Sequence, residues 1–204
     1  NLNAGGILGI GHPNGLNANI TITTQTFNAT AAGTTFLYNG TAAQITGTNL
    51  PATVSNLRIN NTLGVTLSGN RTVSEVLTMS NGNVTTGAFT LTLSNPIVGS
   101  LNHAAGWIIG RFERAISTVP LTDYLFPVGT SSFYRPASFN FASISAITNV
   151  TTEFIESPLA GFTSYTDGVI SLDNPFTEGF WRIRSSSLPA VNYSLTLTGN
   201  GFTS

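Results

Sequence analysis

The chain lacks cysteine and lysine altogether, and these absences exclude several kinds of protein. Without cysteine there is no disulfide, no zinc–thiolate site and no thiol nucleophile, so stability must come from burial and backbone pairing. Charged residues make up only 7% of the sequence, against about 25% in an ordinary soluble domain. The net charge is −1, which gives no reason to expect nucleic acid as a partner.

Long apolar runs are also missing. The best one, Ala104 to Ile109, is cut off by Arg111 and is far shorter than the roughly 18 residues that a membrane helix requires. We therefore expect no membrane span.

The polarity that is present comes from Thr, Ser, Asn and Gly rather than from charge. Hydrophobic residues reach 41%, which argues against disorder. Thr, Val, Ile and Phe favour strands, whereas the residues that usually fill exposed helix faces are scarce apart from Ala. The composition predicts an all-β protein.

Residues 1–98 are predicted to form a Thr/Asn-rich, solenoid-like region. Leu91 and Leu93 alternate with Thr90 and Thr92, and such a period of two is typical of a strand. Asn and Gly recur between the short apolar segments at roughly ten-residue intervals, as turns with positive φ require. This rhythm favours a short β-solenoid, resembling a parallel β-helix. An antiparallel sandwich with hairpins at the Asn-Gly turns is the alternative.

Residues 99–204 are predicted to form a separate antiparallel β-sandwich. Most of the aromatic residues lie here, and large rings are suited to filling the space between two sheets. Apolar alternation predicts strands at Trp107–Ala115, Ser138–Ile144, Thr151–Glu156, Gly179–Arg184 and Tyr193–Thr198.

A series of motifs in this second region carries a resemblance to known proteins. The segment Phe126-Pro-Val-Gly-Thr130 is followed by Tyr134-Arg-Pro136 and later by Phe180-Trp-Arg-Ile183. Together they resemble a β-sandwich module of large secreted and cell-surface proteins of the Bacteroidota, in which a β-solenoid usually precedes that module. The resemblance implies export and an extracellular or cell-surface location, and it implies no catalytic residues.

Residues that could carry chemistry are few, and none forms a recognisable catalytic pattern. The two histidines, His12 and His103, are isolated, and no nucleophile elbow or phosphate-binding glycine loop occurs. We therefore expect no catalytic residues and no cofactor. Asp167 and Asp173 are interpreted as turn residues. A calcium site at either, completed by carbonyl oxygens, is the alternative.

The arginines offer candidate polar contacts. Arg111 and Glu113 share a strand face and, with Arg114, form a candidate ion-pair cluster. Arg182 and Arg184 share one face of another strand. Our interpretation is that such arginines cover a sheet, with their stems packed and their heads solvated. The alternative is that they bind a glycan carboxylate or an acidic group of a neighbouring subunit.

Two strand-like segments lie near the ends of the sequence, and we predict that they pair between subunits. Strand edges are often protected from such pairing by lysine and other charges, which this chain largely lacks. The predicted inter-subunit strand residues are Asn19, Ile20, Ile22, Tyr193, Leu195 and Leu197. Strand addition repeated head to tail gives a filament, so the leading hypothesis is a self-assembling subunit of an extracellular fibre.

Two other functions remain open at this stage. A monomeric adhesin or carbohydrate-binding module would stack sugar rings on Trp107, Tyr134 or Tyr165. A polysaccharide-degrading enzyme on a β-helix would need a carboxylate pair or a basic residue in a cleft. Glu153 and Glu156, three residues apart on a strand, would face opposite sides, so the enzyme is the weakest of the three hypotheses.

Overall fold

A computed structural model describes residues 2–17, 31–120, 122–168, 170–172, 176–187 and 190–203. Within these ranges the regular secondary structure is almost entirely β-strand, with short 3-10 turns at Gly15–Asn17 and Val98–Ser100. The strands are β1 (Ile7–Ile10), β2 (Thr35–Tyr38), β3 (Gln44–Ile45), β4 (Thr53–Asn60), β5 (Val65–Thr66), β6 (Arg71–Asn81), β7 (Val84–Leu93), β8 (Leu101–His103), β9 (Ile108–Ile116), β10 (Thr122–Phe126), β11 (Val128–Gly129), β12 (Ala137–Ile144), β13 (Thr148–Ile155), β14 (Tyr165–Asp167), β15 (Ile170–Leu172), β16 (Phe180–Ser185) and β17 (Val191–Leu197).

The first part of the chain winds into a β-solenoid of about four turns. On one face, β1, β2, β4, β6 and β8 pair in parallel. On a second face, β3, β5, the start of β7, the start of β9 and β11 do the same. The first residues of β4 and β6 and the last residues of β7 and β9 form the third. The all-β class is confirmed, and the parallel pairing selects the solenoid over the sandwich for this region.

Each face places alternate side chains in the interior, where they stack in columns from coil to coil. On the first face Phe36, Leu57 and Leu77 are stacked in register and are fully buried. On the third face Val54 and Val73 begin a similar column. The alternating Thr, Asn and Ser residues face outward or line the corners, so the period-two pattern directly sets which side chains form the core.

The corners of the coil are fixed by buried amides and by glycines with positive φ. Asn61 Nδ2 donates to Ala42 O at 2.7 Å and to Gln44 Oε1 at 2.9 Å. The Gln44 amide in turn donates to Ile10 O at 2.8 Å. At the next corner Gly82 has φ +82°, a conformation that costs glycine little and other residues considerably more. These hydrogen bonds link successive turns of the chain.

The solenoid ends where the strand direction reverses. Strand β9 pairs in parallel with β7 on one side and antiparallel with β13 on the other, and β13 continues antiparallel to β16. A second, three-stranded antiparallel sheet has the order β10–β12–β17. A short hairpin is formed by β14 and β15.

The solenoid and the sandwich share strand β9 and one hydrophobic core. Phe112 of β9 contacts Phe126 of β10 with ring centroids 5.9 Å apart, and Phe126 contacts Phe139 of β12 at 5.6 Å. The boundary expected between residues 98 and 99 lies before the end of the parallel stack. Strands β8, β9 and β11, which follow it, still pair in parallel with the coil. By strand pairing, the coil therefore extends into the region predicted as sandwich.

Candidate interface at the open edge of the sandwich

Strand β17 is an edge strand with an uncovered apolar face. Among the described strands it pairs only with β12. Its alternate side chains remain exposed, Val191 by 41%, Tyr193 by 50%, Leu195 by 37% and Leu197 by 41%. We call these four residues the edge row. An edge strand that carries no charge and no proline is open to pairing with another strand.

Among the described residues, no strand pairs with the backbone along the outer side of β17. Thr198 N–H donates to Pro136 O at 3.1 Å, and Ala190 O accepts from Ser145 N–H at 3.0 Å. The backbone N–H and C=O groups of Ala190 and Thr198, both even-numbered, therefore point toward β12. In an antiparallel ladder such orientation alternates, so the odd-numbered residues, which are those of the edge row, direct their N–H and C=O groups to the free edge.

Beside the edge row lies an apolar cleft of about 160 Å³ between the two sheets. Phe139 and Phe141 stack with centroids 5.7 Å apart, and the Tyr193 ring lies 5.6 Å from the first and 6.0 Å from the second. Ile183 and Val150 form part of the opposite wall. The cleft is thus the unfilled edge of the sandwich core.

The polar rim of this cleft comes from the end of β16 and the residues that follow it. Arg184, Ser185 and Ser187 line the cleft together with Thr148. The Ser187 hydroxyl donates to Thr148 Oγ1 at 2.8 Å. The rim therefore carries one cation and several hydroxyls.

A buried arginine holds two segments of the chain together at one end of the open side. Arg135 Nε donates to Asn200 O at 2.9 Å and Nη1 donates to Glu178 O at 3.0 Å. Its guanidinium carbon lies 4.5 Å from the centre of the Phe154 ring and 4.7 Å from that of Phe202. Arg135 thus ties the chain after β17 to the chain before β16. The Tyr134–Pro136 motif contains this residue, but no pattern in the sequence indicates its role.

The residues of the predicted cluster at β9 do not form ion pairs with one another. Glu113 accepts from Thr151 Oγ1 at 3.0 Å and from Asn149 Nδ2 at 3.3 Å. Arg111 donates to the carbonyl oxygen of Ala88. Arg114 points inward and is only 1% exposed. The three residues therefore bind hydroxyl, amide and carbonyl groups rather than one another.

Of the two arginines of β16, Arg182 is half-buried and Arg184 is exposed. Arg182 pairs with Glu153 across the β13–β16 ladder, with 3.2 Å between Nη1 and Oε1, and this is the single ion pair within the described residues. Arg184 is exposed and contributes to the rim of the apolar cleft.

The other predicted inter-subunit strand cannot be compared with the structure. Asn19, Ile20 and Ile22 lie outside the described residues. Tyr193 and Leu195 belong to the edge row together with Leu197. Val191 was missed, although it continues the same alternation at the start of the strand.

A cluster of potential metal ligands is not found in the part of the chain that the structure describes. No group of three or more potential metal ligands is present there. His12 accepts from the Asn14 N–H at 3.1 Å through Nδ1, as expected of a turn histidine. Asp173 lies outside the described residues, and only the backbone of Asp167 is described. No described helix is long and apolar enough to cross a membrane.

Two of the proposed sugar-stacking rings are engaged with each other. The rings of Trp107 and Tyr134 have centroids 5.7 Å apart, and His103 stacks on Tyr134 at 5.8 Å. Trp107 Nε1 donates to Thr130 O at 2.7 Å. Burial raises the pKa of Tyr134 above its ordinary value. Of Tyr165 only the backbone, in β14, is described.

Comparison with known families, curated proteins and solved structures finds no match to this chain, so its function has to be inferred from the fold and from the surface of the sandwich edge.

Proposed function

We propose that this chain is an extracellular structural subunit that joins copies of itself by β-strand addition and builds a fibre. The observation that carries the proposal is β17, an edge strand with unpaired backbone groups and an uncovered apolar row. A strand added along this edge would satisfy those groups and cover the row. It would also close the apolar cleft, whose exposed lining is costly to leave in water.

The composition of the chain supports the same proposal. Natural sheets usually protect their edges with lysine, proline or inward-pointing charge. Val191–Leu197 contains none of these. Low charge across the whole chain also reduces the repulsion between subunits that come into contact.

A fibre requires a second contact on each subunit, and the solenoid offers a candidate. Strand β1 forms the outermost strand of the first coil and, among the described strands, pairs only with β2. Ile7 on this strand is 65% exposed. Two separate edges, each without a neighbouring strand among those the structure describes, would allow assembly to continue beyond a pair.

An extracellular location is supported by the resemblance of the Phe126–Thr130 and Tyr134–Pro136 motifs to exported proteins. Antibody labelling of intact producing cells tests the location. Signal that appears only after the cells are broken would contradict it.

The assembly is tested by sedimentation and negative-stain imaging over a range of protein concentrations. Wild-type protein should form regular fibres. Leu195→Lys places a charge in the edge row and should stop fibre growth, leaving single subunits and at most pairs joined through β1. Thr196→Lys places the same charge on the opposite face of the same strand and should still assemble, which makes it the matched control.

Three outcomes would count against the proposal. Wild-type protein that stays monomeric at every concentration would refute self-association. Assembly that stops at a closed pair would refute the fibre. Fibres that form equally well from Leu195→Lys, with unchanged circular dichroism and thermal unfolding, would exclude β17 as the contact.

A further inference from the structure

We infer that the strand added to β17 is β17 of a second copy, antiparallel and related by a two-fold axis at Ser194. This inference rests on the proposed self-association and specifies one of its contacts. It specifies which strand of the second copy is added, in which direction it runs and in which register it pairs.

The orientation of the backbone permits this pairing. The odd-numbered residues of β17 direct their N–H and C=O groups to the free edge, as the bonds of Thr198 and Ala190 to the β12 side establish. In a pair centred on Ser194, Tyr193 meets Leu195 of the second copy, and Val191 meets Leu197. All of these are odd-numbered, so each meeting forms a hydrogen-bonded pair.

The side chains match in the same register. The sequence Val-Asn-Tyr-Ser-Leu-Thr-Leu has apolar residues at every odd position and polar residues at every even position. Centring the axis on Ser194 places apolar side chains beside apolar ones and Asn192 beside Thr196. It also gives every residue of Val191–Leu197 a partner, whereas an axis at any other residue shortens the overlap.

Electrostatics favours β17 over the neighbouring edge for a contact between identical strands. Antiparallel pairing of a strand with its own copy brings like charges close together, which destabilises the pair. Strand β17 has no charged residue. Strand β16 carries Arg182 and Arg184, so the same arrangement at β16 would bring cations together.

The pairing would join two three-stranded sheets into one sheet of six strands. Paired residues of neighbouring strands point to the same face, so the two edge rows would lie side by side. Each cleft would then be bordered by the edge row of the other copy, and the exposed Tyr193 and Leu195 would pack across the axis.

Cysteine cross-linking tests the register, and the chain has no cysteine of its own to interfere. Ser194 is even-numbered, so it would meet its own copy as a non-hydrogen-bonded pair with about 4.5 Å between Cα atoms. This lies within the range of about 4.4–6.8 Å that disulfides span. Under mild oxidation, Ser194→Cys should therefore convert most of the assembled chain to covalent dimer.

Two single variants on the same face of the strand serve as controls. In this register Asn192 lies opposite Thr196 of the second copy, which is four residues from Asn192 of that copy. Two Asn192→Cys residues would therefore be separated by about 13 Å along the strands, at about 3.3 Å per residue. Thr196→Cys is equivalent. Each alone should remain at least tenfold less cross-linked than Ser194→Cys, while an equal mixture of the two should form the mixed disulfide.

The outcomes separate this inference from the proposed function. Fibres that form while Ser194→Cys stays uncross-linked would overturn the two-fold register and leave strand addition standing. Equal cross-linking of all three single variants would indicate random collision and would also overturn it. Wild-type protein that neither assembles nor pairs would overturn both.

Discussion

The guanidinium carbon of Arg114 lies 5.0 Å from the centre of the Tyr124 ring, inside the protein at the junction of the solenoid and the sandwich. In the register of the third face, Arg114 occupies the position that Leu93 occupies in the preceding coil. It donates to Leu125 O at 2.8 Å and to Val98 O at 3.0 Å. Burial lowers its pKa from the usual value of an arginine to about 10. A cation bound to carbonyl oxygens thus continues an apolar column and ties β9 to β10.

Replacing Arg114 should weaken this junction. Arg114→Met keeps much of the volume but removes the donors to two carbonyl oxygens, and it should lower the free energy of unfolding by about 2–4 kcal/mol. Urea unfolding provides the measurement. Arg182→Met is the control, because its ion pair with Glu153 lies at the surface and such pairs contribute less than about 1 kcal/mol. Equal losses in the two variants would contradict the role assigned to Arg114.

The buried side-chain amide of Asn61 should not tolerate replacement by a charged group. Its Nδ2 donates to two oxygens, Ala42 O and Gln44 Oε1, which a carboxylate would repel. Asn61→Asp should lose about 3–5 kcal/mol at neutral pH and recover part of it in acid, since a protonated carboxyl can donate. Asn60→Asp changes an exposed neighbour and should lose far less. Thermal unfolding at two pH values distinguishes them.

Two glycines with positive φ should differ sharply in their tolerance of a side chain. A Cβ at Gly82, with φ +82°, would collide with the carbonyl oxygen of Asn61, whereas a Cβ at Gly87, with φ +60°, would meet nothing within 4 Å. Gly87→Ala should therefore cost only the backbone strain of about 1–2 kcal/mol. Gly82→Ala should cost clearly more or prevent folding. Similar unfolding midpoints would show that the corner at Gly82 can shift.

The stability of the protein should fall in alkaline solution because of Tyr38. Burial raises the pKa of its hydroxyl, which donates to Thr46 O at 2.7 Å. Above pH of about 10 the unfolded chain releases this proton while the folded chain retains it. The contribution is therefore complete below about pH 10 and is lost as the pH rises, by up to about 1.4 kcal/mol per unit.

Tyr38→Phe removes this titration and serves as the comparison. Its free energy of unfolding, measured from pH 8 to 11.5, should decline less steeply than that of the wild type above about pH 10. Parallel curves would place the alkaline loss on other groups.

Pairing at β17 should depend weakly on salt. The strand has no charged residue, so added NaCl has little to screen at the contact. Sulfate should instead strengthen association, since it favours the burial of apolar surface. Sedimentation at matched ionic strengths of the two salts gives the comparison. A large loss of association in NaCl would indicate that charged residues such as Arg184 dominate the contact.

The strands of the second region follow closely from apolar alternation. The prediction of Ser138–Ile144 corresponds to β12 at Ala137–Ile144, and that of Gly179–Arg184 corresponds to β16 at Phe180–Ser185. Such positions are encoded locally, because a period of two decides which side chains can enter a core. The positive φ of Gly82 was likewise evident from its turn sequence.

The partners of those strands and the environment of the arginines were not evident. That β9 ends the parallel stack and begins the antiparallel sheet depends on residues far apart in the chain. Arg114 and Arg135 are both almost fully buried, and the acidic residue next to Arg114 in the sequence, Glu113, binds Thr151 and Asn149 rather than the arginine. Their partners are carbonyl oxygens, which every residue carries, so no sequence pattern identifies them.

The reversal of strand direction at β9 also bears on how the length of this protein can change. Whole coils can be added or removed between β2 and β7 without altering β9 or its antiparallel neighbour β13, because each coil contacts only the coils next to it. Each such step would move β1 relative to β17 by about 4.8 Å, the spacing of paired strands. The solenoid is therefore a spacer of adjustable length, and its increments are set by the backbone hydrogen bond.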